Sequence, residues 1–438
     1  MFFRSTRDNT GTELPFNKAI FQGLAPDGGL YVPVQPVDMR DLFLSFNENT
    51  SFVTIASEMV QALLPDLFDK KRADKIAEKA FPFVPKIAPL TEDVSILELF
   101  HGPSCAFKDF GASFLANSME EFLEDASQKA VILTATSGDT GSAVARAFTG
   151  KKNIDVVILY PSGRVSPLQE KQLTTSGGNV IALEVEGNFD DCQRMVKEAF
   201  VDKTLTGKIM LTSANSINLG RLIPQSFYYA YAFAQLKHRI NGNFYVCVPS
   251  GNFGNLTAGL YAWWWGLPVQ KFIAATNENT VVPEYLETGK FNPRPSIKTY
   301  SNAMDVGNPS NFERLLDLFQ NDHHKMGNII HGETVTNQQT LDTMARIYKD
   351  NGMVIDPHTA VGVLASEWYM EEDSSDDSHI VTLSTAHPGK FQETVQKALS
   401  IDVELPDALK DVLNKEKKSV KVANTLEALS DFLLSRYG

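Results

Sequence analysis

The sequence predicts an α/β protein built on two parallel sheets. Three observations carry that prediction: apolar runs that are continuous rather than alternating, segments of helical spacing between them, and small-residue loops where several runs end. A strand buried on both faces needs apolar side chains at nearly every position. Strands separated by helices pair in parallel through right-handed crossovers.

The first 95 residues depart from this pattern. GLAPDGGLYVP (23–33) is rich in turn residues, while SFVTIASEMVQALL (51–64) and DKKRADKIAEKAF (69–81) have helical spacing. Residues 1–95 are therefore expected to form a mostly helical N-terminal region. The apolar runs follow: KAVILTAT (129–136), NIDVVILYP (153–161), NVIALEVEG (179–187), KIMLTSAN (208–215), FYVCVPSG (244–251), KFIAATNEN (271–279) and HIVTLSTAH (379–387). SAVARAF (142–148), CQRMVKEAF (192–200), RLIPQSFYYAYAFAQL (221–236) and LTAGLYAWWW (256–265) supply the intervening helices. This order places a smaller subdomain in residues 121–215 and a larger one in 96–120 and 216–400, with a charged helical tail in 401–438.

A chain of 438 residues is too long for one simple core. Its 43% hydrophobic and 21% charged residues are those of an ordinary water-soluble protein. A formal net charge of −13 argues against general affinity for nucleic acid or an anionic membrane. YAYAF (229–233) and AGLYAWWWGL (258–267) are too short to span a bilayer, and MFFRSTRDNTG lacks the apolar stretch of a secretory signal. Cys105, Cys192 and Cys247 are few, scattered and odd in number. They suggest neither a disulfide framework nor a metal site, and suit the reducing cytoplasm. EEDSSDDS (371–378) reads as a solvated acidic turn.

Ligands of open α/β sheets bind beyond the carboxyl ends of the strands. Three strand ends here run into small-residue loops: TSGDTG (136–141), PSGNFGN (249–255) and STAHPGK (384–390). The glycine loop SGNFGN opens a helix and suits a phosphate, although it has neither Walker nor dinucleotide spacing. TSGDTG opens another helix and suits a carboxylate or phosphate. Taken alone, each is equally readable as a capped turn. HGPSCAFKDFG (101–111) sets Lys108 between Phe107 and Phe110. Most lysines are solvated surface residues. One kept dry can lose its proton and attack a carbonyl. An amine of this kind, a phosphate loop and a carboxylate loop together are what pyridoxal phosphate needs to act on an amino acid.

At these residues the chain resembles the threonine synthases, pyridoxal-phosphate enzymes of the tryptophan synthase β-like, fold type II group. HGPSCAFKDFG resembles the cofactor-lysine segment and TSGDTGSAVA (136–145) the substrate-carboxylate loop. NSINLGRLIPQ (215–225), VPSGNFGN (248–255), AMDVGNPSNFERL (303–315), DPHTAVG (356–362) and GLAPDGGLYVP follow the family's order. The resemblance implies two α/β subdomains flanking a cofactor cleft. It implies conversion of O-phospho-L-homoserine and water into L-threonine and phosphate by a monomer or homodimer. Lys108 would hold the cofactor as a Schiff base and act as the catalytic base. Gly251, Asn252, Phe253, Gly254 and Asn255 would bind its phosphate, Thr385 its ring nitrogen, and Asp139 would lie near its 3-hydroxyl. Ser137, Gly138 and Thr140, with Asp139, would hold the substrate carboxylate. The substrate phosphate needs a second anion site, for which Asn215, Ser216, Asn218 and Arg221 are candidates together with Ser104 and Lys390. Arg221 is the first choice, because a guanidinium grips phosphate with paired hydrogen bonds. His101 could orient Ser104 or contact substrate, or be a buried structural histidine, while His358 and His387 are assigned no chemistry. A serine/threonine dehydratase or cysteine synthase would share these loops, and a non-catalytic sensor of amino-acid phosphates would share the fold.

Overall fold

The structure, a computed structural model, describes residues 1–124, 129–136, 138–372 and 377–438. Ser137 and residues 373–376 of the acidic turn lie outside the described residues. Every apolar run from residue 129 onward forms a strand. Ala130–Ala135, Ile154–Pro161, Val180–Glu186 and Met210–Thr212 belong to one sheet, in which all pairings are parallel. Phe244–Pro249, Lys271–Thr276 and His379–Ser384 belong to the other, also paired in parallel. Ala130–Ala135, Phe244–Pro249 and His379–Ser384 are buried at every position, as their continuous apolar runs require.

The strands that escaped the sequence are mostly edge strands. Ile330–Thr334 closes one side of the larger sheet, and Lys86–Pro89 closes the other in antiparallel pairing with Val94–Glu98. Val94–Glu98 itself pairs with His379–Ser384, with Ser95 opposite Val381. The N-terminal region is mostly helical but also carries a small antiparallel sheet, with Phe2–Ser5 between Leu14–Pro15 and Tyr31–Pro33. The helical expectation for the tail is corrected as well. Between the helices Asp407–Leu413 and Leu426–Tyr437 lies the strand Ser419–Ala423, which pairs in parallel with Val180–Glu186. Lys417 anchors it through Glu170 at 2.7 Å and Glu184 at 2.8 Å. An edge strand has one open side and needs no apolar run, so its partner is set by tertiary packing.

The larger core begins in the N-terminal region. Phe52 meets Phe110 edge-on at 5.3 Å, and Phe81 stacks on Phe114 at 6.3 Å. Phe110 and Phe114 belong to the helix Lys108–Phe122, so the N-terminal region grips the helix that Lys108 begins. Phe110 is thus a core residue, and only Phe107 is close to the amine. Its ring centroid is 5.2 Å from Lys108 Nζ.

His379 begins a central strand, with Nε2 3.0 Å from Ser95 Oγ. Burial, reinforced by Arg239, lowers its pKa to about 4. A buried neutral imidazole contributes fully above its ordinary pKa of 6.5, and that contribution is lost as the pH falls towards 4. The loss amounts to about 2 kcal/mol near pH 5. His379→Gln should therefore lose less stability than the parent between about pH 7.5 and 5, measured by urea unfolding. Equal losses in both proteins would refute this reading.

Candidate active site

Three loops meet where strands of both sheets end. The first follows Val94–Glu98 and leads to Lys108. Its last residues pair with the segment after His379–Ser384. Phe107 N–H donates to the Thr385 carbonyl at 2.9 Å, and His387 N–H donates to the Cys105 carbonyl at 3.0 Å. These bonds set Thr385 beside Lys108. Asp109 braces the loop from below, with Oδ2 accepting from Ser104 N–H at 2.9 Å. A Cβ on Gly102 would stand 2.4 Å from that oxygen, which is why glycine is needed there. Burial pushes the Asp109 carboxyl up to about 6, against the hydrogen bond it accepts from the Ser104 N–H. Asp109 is a brace for the main chain, and His101 pairs outward with Glu98 at 2.7 Å.

Lys108 Nζ is 3.6 Å from Asp139 Oδ2. Burial lowers the pKa of this amine. Asp139 opposes the shift, while Lys390 and Arg221 add to it. Asp139 begins the helix Asp139–Phe148, and its other oxygen accepts from Lys390 Nζ at 2.7 Å. Burial alone would raise the Asp139 pKa, but Lys390 and Lys108 together hold it well below the usual carboxylate range. The Lys390 side chain is completely buried and also donates to the Ser104 carbonyl at 2.8 Å. The three groups form a chain of alternating charge, Lys108–Asp139–Lys390, with Asp139 and Lys390 buried and Lys108 half-buried.

The second loop is organised by Thr136, whose Oγ1 accepts from Gly138 N–H at 3.0 Å and Gly141 N–H at 2.9 Å. Thr140 lies in the first turn of the helix that follows. Gln169 reaches over the turn to Asp139 Oδ1 at 3.3 Å.

In the third loop, Phe253 adopts a left-handed φ of +60° and Gly254 starts the helix Gly254–Trp264. A Cβ on Gly251 would lie 2.6 Å from Met304 Cα, so the backbone there admits only glycine. Asn252 ties the loop to its surroundings. Its Nδ2 donates to Ser216 Oγ and its Oδ1 accepts from Ser310 N–H, both at 2.6 Å. Asn255 Oδ1 accepts from the hydroxyls of Tyr228 at 2.6 Å and Tyr229 at 2.7 Å. Its Nδ2 is buried and has no acceptor among the described residues. Free main-chain N–H groups at a helix start, glycine in place of side chains and an unsatisfied amide donor form a donor set that fits a phosphate.

Residues to which the sequence assigns no chemistry complete the scaffold. Asp356 Oδ2 holds His358 Nδ1 at 2.5 Å, and His358 Nε2 accepts from Ala303 N–H at 3.1 Å. Nδ1 therefore carries the proton, and His358 fastens the turn that covers Gly251. Thr359 joins Asp356 to Ser384, whose hydroxyl is 2.7 Å away.

Of the candidates for a second anion site, Asn218 is corrected to a structural role. Its Nδ2 donates to the carbonyls of Ile20 at 2.8 Å and Ser213 at 2.7 Å, and its Oδ1 accepts from Gly220 N–H at 2.8 Å. No side-chain donor remains for a ligand. Asn215 accepts from Thr134 Oγ1. The buried Arg221 donates to the Ala214 carbonyl at 2.6 Å, while its Nε has no acceptor among the described residues. Ser104 is completely buried, and its Oγ has no partner among the described residues.

Comparison with known proteins agrees along the whole chain. Residues 87–386 match the family described as pyridoxal-phosphate dependent enzyme. Residues 2–81 match the N-terminal and 359–433 the C-terminal threonine synthase families. A threonine synthase from Serratia marcescens is 43% identical over 397 residues, 91% of each chain. The crystal structure of threonine synthase from Escherichia coli superposes with a TM-score of 0.90 at 38% identity, covering all of both chains. A threonine synthase from Brucella melitensis, solved with pyridoxal phosphate bound, gives 0.92 at 33% identity, covering 100% of this chain and 99% of that one.

Proposed function

From the premise that this chain belongs to the threonine synthase family, we propose how its residues divide the work of converting O-phospho-L-homoserine and water into L-threonine and phosphate. The enzyme depends on pyridoxal phosphate. When bound, the cofactor supplies a carbonyl that takes an amine and a ring that withdraws electrons from the carbon beside it. Lys108 Nζ is the amine that holds it. When not holding the cofactor, Lys108 would remove and return protons on the substrate carbon chain. Asp139, shared with Lys390, sets how readily Lys108 gives up its proton. Gly251 to Asn255 would hold the cofactor phosphate, and Thr385 would offer its hydroxyl to the ring nitrogen.

Gly138 and Thr140, at the positive end of the helix Asp139–Phe148, would hold the substrate carboxylate. Asn215, Ser216 and the free Nε of Arg221 would receive the substrate phosphate, which leaves from the γ-carbon before water adds at the β-carbon. Residues 121–215 and residues 96–120 with 216–400 act as the two subdomains facing this cleft, and the tail strand joins the smaller. The chain works in the cytoplasm as a monomer or homodimer. In support, all three cysteines are free and buried, and among the described residues no helix is long and apolar enough to cross a membrane.

One observation carries the reading: a half-buried lysine 3.6 Å from a buried carboxylate, where the loops of two mainly parallel sheets meet. The test is to incubate the purified chain with O-phospho-L-homoserine and measure both products. Threonine and phosphate should appear in equal amounts. Phosphate with a 2-oxo acid in place of threonine would reassign the site to a dehydratase, and binding without turnover would reassign it to a sensor.

A further inference from the structure

We propose that Asn311 is a ligand of the cofactor phosphate, its side-chain Nδ2 donating to the phosphate held at the start of the helix Gly254–Trp264. The inference rests on the loop assignment above and extends it to a residue on another segment. Asn311 is completely buried and directly precedes the helix Phe312–Leu318, yet its side chain makes no capping bond. Its Oδ1 accepts from Arg314 Nη1 at 2.5 Å. Arg314 is itself buried and fixed by the carbonyls of Tyr31 at 3.0 Å, Ser216 at 3.2 Å and Ile217 at 2.7 Å. The amide is therefore oriented, with its NH2 directed away from the guanidinium. That Nδ2 has no acceptor among the described residues. It lies 3.2 Å from the point a Cβ on Gly254 would occupy.

A buried amide donor without an acceptor is disfavoured, and Arg314 prevents this one from turning to find another. Asn255 presents the same arrangement at the same helix start: an oxygen locked by neighbours and an Nδ2 left over. The bond from Ser310 N–H to Asn252 Oδ1 brings the turn before Asn311 onto the glycine loop. Two unsatisfied amides, one on and one beside the start of the same helix, add side-chain donors to its first N–H groups. A phosphate monoester has enough oxygen acceptors to satisfy all of them.

The test uses the full-length chain freed of cofactor, titrated with pyridoxal phosphate and separately with pyridoxal, which lacks the phosphate. Asn311→Asp keeps the acceptor for Arg314 and removes the donor. It should weaken pyridoxal phosphate binding by about tenfold to a hundredfold and leave pyridoxal binding within about twofold. Asn255→Asp, in the loop itself, should behave alike. Equal weakening of both compounds, or of neither, would overturn the role of Asn311. So would a raised KM for O-phosphohomoserine with unchanged cofactor affinity, which would assign the amide to the substrate phosphate. If Asn255→Asp spares the phosphate-dependent affinity, the loop assignment fails and this inference fails with it. Near-ultraviolet circular dichroism checks the fold of each variant. Should Asn311→Asp not fold, Asn311→Ser is read by the same comparison of the two compounds.

Discussion

Lys108→Ala should lower threonine formation by at least about a thousandfold and leave the chain folded. Removing a general acid–base group alone typically costs between about a hundredfold and ten-thousandfold, and this variant also loses the covalent hold on the cofactor. The fold should survive because Lys108 sits at the start of its helix, while Phe110 and Phe114 on the same helix anchor it in the core. Asp139 is not left unpaired either, since Lys390 stays 2.7 Å from its other oxygen. The measurements are steady-state turnover, thermal melting and retention of cofactor after borohydride reduction. Reduction should fix the cofactor to the parent chain and not to the variant. Normal threonine formation by Lys108→Ala would overturn the whole site assignment.

The second large effect is expected at Lys390, which acts through Asp139. In the parent, Lys390 takes much of the Asp139 charge and repels a proton from Lys108. Lys390→Met removes both influences. Asp139 then acts on Lys108 alone, so the proton affinity of the amine rises. Lys108 must be unprotonated to act as a base once substrate is bound, so the acid limb of kcat should move to higher pH, with activity partly regained in alkaline buffer. A residue that only supported the fold would lower the rate equally at every pH. Breaking a buried ion pair from one side should also cost about 3–5 kcal/mol of stability near neutral pH. The sign with pH follows from Asp139, whose pKa is depressed in the folded parent. Its contribution is present above the ordinary carboxylate range and lost as the pH falls below it. The stability gap between parent and variant should therefore narrow in acid.

The two lysines illustrate how much of the site could be read from the chain. Lys108 could be found because its signal is local: a lysine between phenylalanines, a strand end before it and a helix after it. The glycine loop and TSGDTG were legible for the same reason, since each is a strand, a turn and a helix start within a few residues. The charged partner that tunes Lys108 was not legible as such. Lys390 was only one candidate among several for a substrate phosphate, because nothing near it in sequence points to Asp139. Asn218 was misjudged in the opposite direction. It lies within a family-like segment, but its partners are main-chain carbonyls, and one of them, on Ile20, belongs to the N-terminal region.

The sequence by itself determined the α/β class, the inner strands of both sheets except Val94–Glu98, and the loops that carry the chemistry. Each follows from short-range rules: apolar continuity, helical spacing, and glycine where the backbone must turn or approach a ligand closely. Only the tertiary structure decided most of the edge strands, including the tail strand that completes the smaller sheet. It alone also paired Asp139 with Lys390, locked Asn311 with Arg314 and gave His358 its structural task. Those features depend on which distant segments lie side by side. A buried polar group takes its role from the partners that packing brings within hydrogen-bond reach.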